Sequence, residues 1–319
     1  MKNPGQPDLA CPGVDKINKE LTKLVLGTVQ LGLDYGIANQ DGKPGEEESL
    51  DLLEKAWAGG ITAFDTAPAY GSSESLLGKF IASEKGRSEC VTIITKALVP
   101  AGAANQKLSP AELMKEQLLQ SLENLGVNKV DYYLLHNPAN MEDPDLMDTL
   151  FLLRDQGLIA EPGVSVYSVA EAREAVKRGL RALQAPINIF DRRFIDPPLL
   201  DWFKEQGATL MARSVFLQGL FFIDPEKLPP GVEKAEPYLK QLRQICQQEN
   251  ITVQEMALKF IDSIAAVDHI IIGTDNQAQL TANLQALKGP ALPESLMDLL
   301  EKTFGSVPDK LTDPRKWER

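Results

Sequence analysis

The chain has little of what would tie it to a membrane, a nucleic acid or an oxidising compartment. Its three cysteines, Cys11, Cys90 and Cys246, lie far apart with no paired spacing, which argues against a disulfide framework and against a zinc site. Positive charge is in the minority: 33 Lys and Arg face 45 Asp and Glu, a formal net charge of -12. Nucleic-acid backbones and anionic membrane surfaces want clustered cations, so neither is an expected partner. A dinucleotide stays open, because backbone N–H groups and helix N-termini can hold one locally. Long apolar runs are missing too. The opening MKNPGQPDLA has no apolar stretch of the kind that directs export, and LVLGTVQLGL is broken by Gly and Gln. Membrane spanning and secretion are not expected, and a reducing cytoplasm is the expected address.

What is present is a repeating pattern. Apolar, strand-like runs recur at 24–28 (LVLGT), 61–67 (ITAFDTA), 91–97 (VTIITKA), 130–136 (VDYYLLH), 160–166 (AEPGVSV), 182–189 (ALQAPINI), 209–215 (TLMARSV) and 269–274 (HIIIGT). Several are continuous instead of alternating, as strands covered on both faces read. Amphipathic helical patterns separate them, with Ser109-Pro110 as a helix start and Gly60, Gly126, Gly157 and Gly179 as left-handed ends. Two extra helical patterns, around 234–248 and 253–262, fill the long last gap. Eight strands alternating with helices predict an α/β protein, a single-domain (β/α)8 barrel spanning 21–305. Tails at 1–20 and 306–319 lie outside the repeat, either loose or covering an end of the barrel. An open doubly wound sheet is the poorer fit, since no GxGxxG follows the first strand.

Barrels place their chemistry at the carboxyl ends of strands. Asp65, Lys96 and His136 end the second, third and fourth runs, and Tyr70 follows Asp65 by five residues. Each alone reads blandly, as a cap, a solvated lysine or a structural histidine. Four at one end of consecutive strands read as a site. The other histidine, His269, opens the eighth run and so belongs to the opposite end.

FDTAPAYGSSESLLG, followed by ITK, DYYLLHNP and GVSVY in order, resembles the aldo-keto reductase superfamily from about Leu24 to Asn283. The resemblance implies an NAD(P)-dependent oxidoreductase that interconverts an aldehyde or ketone with an alcohol, without metal. In it Tyr70 is the proton donor, Lys96 lowers the Tyr70 pKa, Asp65 holds Lys96, and His136 donates to the substrate oxygen. Carbonyl reduction needs a proton on oxygen as well as hydride on carbon, and an unassisted phenol is a poor acid at neutral pH. By resemblance the cofactor is contacted by Gly27, Thr28, Asp65, Ser165, Gln184, Arg213, Ser214, Phe216, Gln218, Gly219, Gly273, Thr274, Gln279 and Asn283. Many relatives have Asn where this chain has Val166, and a nicotinamide-stacking Tyr where it has Arg213. The family's habit favours NADP(H) over NAD(H). GTDNQAQLTAN, at the expected adenosine end, has no cation and includes Asp275, which predicts weak discrimination. Two rival readings use the same residues. One is a non-catalytic protein that senses the cofactor's redox state, and the other is a Schiff-base aldolase built on Lys96. Specificity is expected from loops around Tyr35, Asn137–Asp145, Phe221–Glu236 and the tail with Trp317. The oligomeric state stays open.

Overall fold

A computed structural model of the chain describes residues 23–39, 42–100 and 108–317. The proposed N-terminal tail, 1–20, and Cys11 within it lie outside the described residues.

Eight strands are β1 (Leu24–Gly27), β2 (Ala63–Asp65), β3 (Thr92–Ala97), β4 (Val130–Leu135), β5 (Ile159–Ser165), β6 (Ala182–Pro186), β7 (Thr209–Arg213) and β8 (His269–Gly273). They pair in sequence order, all parallel, and β8 returns to β1 to close the barrel. Helices α1 (Val29–Gly32), α2 (Glu46–Ala58), α3 (Ser73–Ala82), α4 (Pro110–Leu125), α5 (Pro144–Asp155), α6 (Val169–Lys177) and α7 (Pro197–Glu205) follow the first six strands. The long last crossover carries α8 (Glu236–Gln248) and α9 (Val253–Asp262). After β8 come α10 (Gln277–Ala286), α11 (Glu294–Phe304) and the single turn α12 (Asp309–Thr312). Local chemistry sets the boundaries. Ser109 Oγ accepts the Glu112 N–H with Pro110 in first position, and Gly126 ends α4 at φ 67°. The apolar runs overshoot the strands by one to a few residues where the chain peels into the loops, as at Thr28, Val166 and Ser214.

Two layers of apolar side chains do the packing. The larger fills the space between strands and helices, and the smaller plugs the lumen with Val25, Ala63, Ile94, Leu134, Ala182, Met211 and Ile271. Strand alternation puts residues i and i+2 on one face. Two places beyond each lumen residue therefore stand Gly27, Asp65, Lys96, His136, Gln184, Arg213 and Gly273, with Ser165 two beyond Gly163 on β5. The ring at the barrel mouth is the packed ring shifted up by one repeat. Gly163 is demanded by this crowding: a Cβ there would lie 2.2 Å from Ala182 O and 2.5 Å from a Leu134 methyl.

The chain end is also folded. Trp317 is buried in the main core and its Nε1 donates to Leu311 O at 3.2 Å. Among the described residues no helix is long and apolar enough to cross a membrane.

Candidate active site

At the mouth, Lys96 Nζ has three acceptors within reach, Asp65 Oδ1 at 2.8 Å, Asp65 Oδ2 at 2.7 Å and Thr66 O at 2.9 Å. These match its three N–H groups. Lys96 is fully buried and Asp65 4% exposed. Gln184 Nε2 donates to Asp65 Oδ1 at 2.7 Å, so the carboxylate joins β2, β3 and β6. Tyr70 leans over this pair, with Lys96 Nζ 4.8 Å from its ring centre. His136 meets the same ring edge-on, centroids 6.2 Å apart at 86°. The four residues expected at the site are thus brought together, and His269 lies at the other end against Tyr132.

Tyr70 is held through its backbone. Its N–H donates to Ala67 O, its carbonyl accepts from Ser73 N–H, and the helix α1 passes so close that a Cβ on Gly32 would sit 1.6 Å from Tyr70 O. Sequence reasoning missed Gly32. Gly32→Ala is expected to cost ~1–3 kcal/mol by overpacking and to lower kcat by about tenfold, ~1.4 kcal/mol in the barrier. Melting temperature and turnover of the variant measure both, and an unchanged kcat would show that Tyr70 is not placed by this contact. Glu74 of the motif is likewise structural, accepting from Thr95 Oγ1 at 2.8 Å and Asn124 Nδ2 at 3.3 Å.

The expected pull of Lys96 on Tyr70 is present, but it is not the largest influence there. Burial raises the Tyr70 pKa above that of an ordinary phenol, and the opposing pull of Lys96 does not overcome it. Physically, much of the ammonium's charge is compensated by Asp65 before it can act on the phenol. Burial is the largest influence on Lys96 and lowers its pKa, but attraction and hydrogen bonding to Asp65 and Tyr70 together outweigh it and leave the pKa raised. His136 is driven down to about 4, by burial first and then by Lys96 and Arg213. It is neutral at pH 7, and its Nδ1 is buried without a partner, which leaves Nε2 as the nitrogen able to reach a ligand.

The depressed His136 pKa makes stability pH-dependent. Above the ordinary value of 6.5 folded and unfolded states are both neutral and the group is silent. Between 6.5 and 4 the unfolded chain takes up a proton that the folded site refuses, so stability falls with pH. The loss is complete below about 4 and amounts to roughly 2–3 kcal/mol, allowing for the ring's partial exposure. Denaturant midpoints of the wild type and of His136→Gln should therefore converge or cross on acidification. Parallel curves from pH 7 to 4 would refute the assignment.

A cleft of about 350 Å³ runs from Tyr70, Asp65 and Gln184 to Asp275, Gln279 and Asn283. Of the residues expected to contact a cofactor, Gly27, Asp65, Gln184, Arg213, Ser214, Phe216, Gln218, Gly219, Gly273, Gln279 and Asn283 line it. Thr28, Ser165 and Thr274 are buried and do not line it, and the Thr28 hydroxyl donates to Asp65 O at 2.9 Å. Val29, Gln30, Asn39 and Gln254 line the cleft and were not anticipated. Gln30 covers Gly273 so closely that a Cβ there would lie 2.2 Å from its Nε2. The wall after β7 is backbone in an unusual state, with Ser214, Leu217 and Gln218 all left-handed at φ 49–58°. Such conformations cost energy and cluster where a ligand meets main chain. A second recess, about 700 Å³, opens on the other side of His136 and includes Asn137, Glu142, Tyr167, Glu171, Arg178 and Arg315.

Tyr70 and Asp65 line the cleft and His136 lines the recess, so the cluster borders two hollows. The model of the Aldo/keto reductase family matches residues 23–303. The chain belongs to the aldo/keto reductase family. Its relatives in the family include D-threo-aldose 1-dehydrogenase of a Pseudomonas species, 27% identical over 81% of this chain and 90% of that one. NADH-specific methylglyoxal reductase of Escherichia coli is 26% identical over 84% and 90%. Among solved structures, the holo form of aldo-keto reductase AKR11C1 from Bacillus halodurans covers 91% of this chain and 95% of its own at TM-score 0.73 and 22% identity, a likeness of fold. Membership makes this chain an NAD(P)-dependent oxidoreductase of the (β/α)8 type. The cleft fits a nicotinamide cofactor on its own features as well: among its lining residues, buried Gln30 Oε1 and Arg213 Nε have no partner.

Proposed function

We propose that the protein interconverts a small, hydroxyl-bearing aldehyde or ketone with its alcohol, Tyr70 exchanging the proton. A bound nicotinamide supplies or accepts the hydride. Tyr70 and His136 converge on the carbonyl oxygen from two edges, His136 as a neutral donor and Tyr70 as the acid. Lys96 offsets the charge left on the Tyr70 oxygen, and Asp65 with Gln184 keeps Lys96 aimed at it. The single observation that carries this reading is Lys96 locked on Asp65 while facing the ring that His136 also touches. The second recess mixes apolar walls with hydrogen-bonding groups such as Asn137, Glu142 and Arg315, which supports a hydroxylated substrate. The chain from 21 to 305 is taken as the catalytic unit, with Arg315 of the 306–319 tail lining the second recess.

The Schiff-base reading is disfavoured by the same geometry. An amine nucleophile must be neutral, whereas Lys96 gives all its protons to acceptors and has a raised pKa. For the cofactor, we propose that NADP and NAD bind within about tenfold of each other. Among the described residues the cleft's adenosine end offers no cation, and Gln279 Nε2 already donates to Asp275 Oδ2 at 3.1 Å. Loss of reduced-cofactor absorbance with glyceraldehyde or methylglyoxal tests the reaction, and no turnover with any aldehyde would favour the redox-sensing reading. Fluorescence titration with NADPH and NADH tests the preference. A ratio above a hundredfold would mean an overlooked phosphate-binding cation.

A further inference from the structure

Among the described residues that line the cleft, Arg213 alone carries a positive charge. It ends β7 on the ring of lumen-facing residues, and no described carboxylate lies within ion-pair distance of it. The guanidinium donates to Val166 O and Ser214 Oγ, each at 3.2 Å, and lies 4.4 Å from the Tyr167 ring centre. Its Nε is buried with no partner. Lys96, the other cation of the mouth, is neutralised by Asp65. Arg213 therefore supplies the uncompensated charge of the site. Its field reaches the reacting groups, adding to the burial and the Lys96 charge that lower the His136 pKa and opposing the burial that raises that of Tyr70.

A hydride carrier must bring its ring up to a carbonyl held by Tyr70 and His136, and so into the same field. An oxidised nicotinamide ring is a cation and a reduced one is neutral. We propose that Arg213 discriminates between the two redox states of the cofactor, disfavouring the oxidised ring and so making the bound couple a stronger oxidant than the free one. The proposal rests on the reading of the cleft as a nicotinamide site. In the direction it favours, Tyr70 acts from its minor phenolate form, whose oxygen takes the alcohol's hydroxyl proton. The carbinol C–H bond breaks, its hydrogen leaving with both electrons for the ring, and the ring loses its positive charge beside Arg213. A like-charge contact in a half-buried site is expected to weaken affinity at least ~tenfold.

The test is equilibrium binding and needs no turnover. Purified wild type, Arg213→Leu, Arg213→Gln and Arg213→Lys are titrated by calorimetry with NAD⁺ and NADH, then with NADP⁺ and NADPH, after thermal melts show each variant folded. Wild type is expected to hold each reduced form at least ~tenfold tighter than its oxidised partner, about 30 mV in the bound couple. Both neutral variants should bring the ratio close to one, chiefly by tightening the oxidised forms, while Arg213→Lys retains it. An unchanged ratio in the neutral variants overturns the proposal. Equal weakening of both forms also overturns it, making Arg213 a phosphate anchor. Failure of wild type to bind any of the four overturns the cofactor reading itself, a result distinct from the other two.

Discussion

Tyr70→Phe is expected to lower kcat by at least ~10²-fold, the lower end of what a positioned general acid contributes. The substitution keeps the ring that packs against His136 and faces Lys96, and deletes only the hydroxyl. Cofactor affinity should change little, because the cleft wall keeps its shape. Stopped-flow transfer of hydride to an aldehyde under single-turnover conditions measures the step directly. Near-normal turnover in the variant would remove Tyr70 from the mechanism. The raised pKa sharpens the expectation: at neutral pH the hydroxyl is fully protonated, as a donor for reduction must be.

Lys96→Met should abolish measurable turnover and destabilise the barrel as well. Asp65 would remain buried with Gln184 Nε2 as its side-chain partner, and breaking a buried pair by removing one member costs about 3–5 kcal/mol. Whatever rate survives should have its Tyr70-dependent limb displaced to higher pH, since Lys96 is the group that pulls the phenol's pKa down. The two effects separate in the double variant Lys96→Met with Asp65→Asn. Removing the orphaned charge restores much of the melting temperature while activity stays lost. If the double variant is no more stable than Lys96→Met, the buried ion pair does not carry the cost. A pH profile of the surviving rate that stays in place would deny Lys96 its influence on Tyr70.

The barrel was legible because its strands are buried on both sides and so read as apolar runs, with helices of clear period between them. The cluster was legible because strand alternation is strict: a residue two beyond a lumen-filling Ala63, Ile94 or Leu134 must face the mouth. What sequence could not supply was the balance of opposed terms. That Lys96 would act on Tyr70 followed from its charge, but Asp65's claim on that charge and the depth of burial needed coordinates. Loop contacts were equally hidden. Gln30, Gln254 and Arg315 enter the two hollows from segments far apart in sequence, and nothing in their neighbours' periodicity marks them. Of the tail expected to shape specificity, Trp317 anchors the chain end and Arg315 two places earlier borders the recess.

The cleft is bridged where its two flanking loops meet: Gln218 O accepts from Ile37 N–H at 3.1 Å, and Gln218 Nε2 donates to the Tyr35 hydroxyl at 3.0 Å. A Cβ on Gly219 would also come within 2.8 Å of Ala38. This join leaves a trace in inheritance. Two segments 183 residues apart in the chain share one fit, so a lengthened first loop or a bulkier residue at 219 is tolerated only with a matching change opposite. Across descendants of a common ancestor, positions 35–38 and 218–219 should drift as a linked pair, while the strand ends that hold Asp65 and Lys96 stay still.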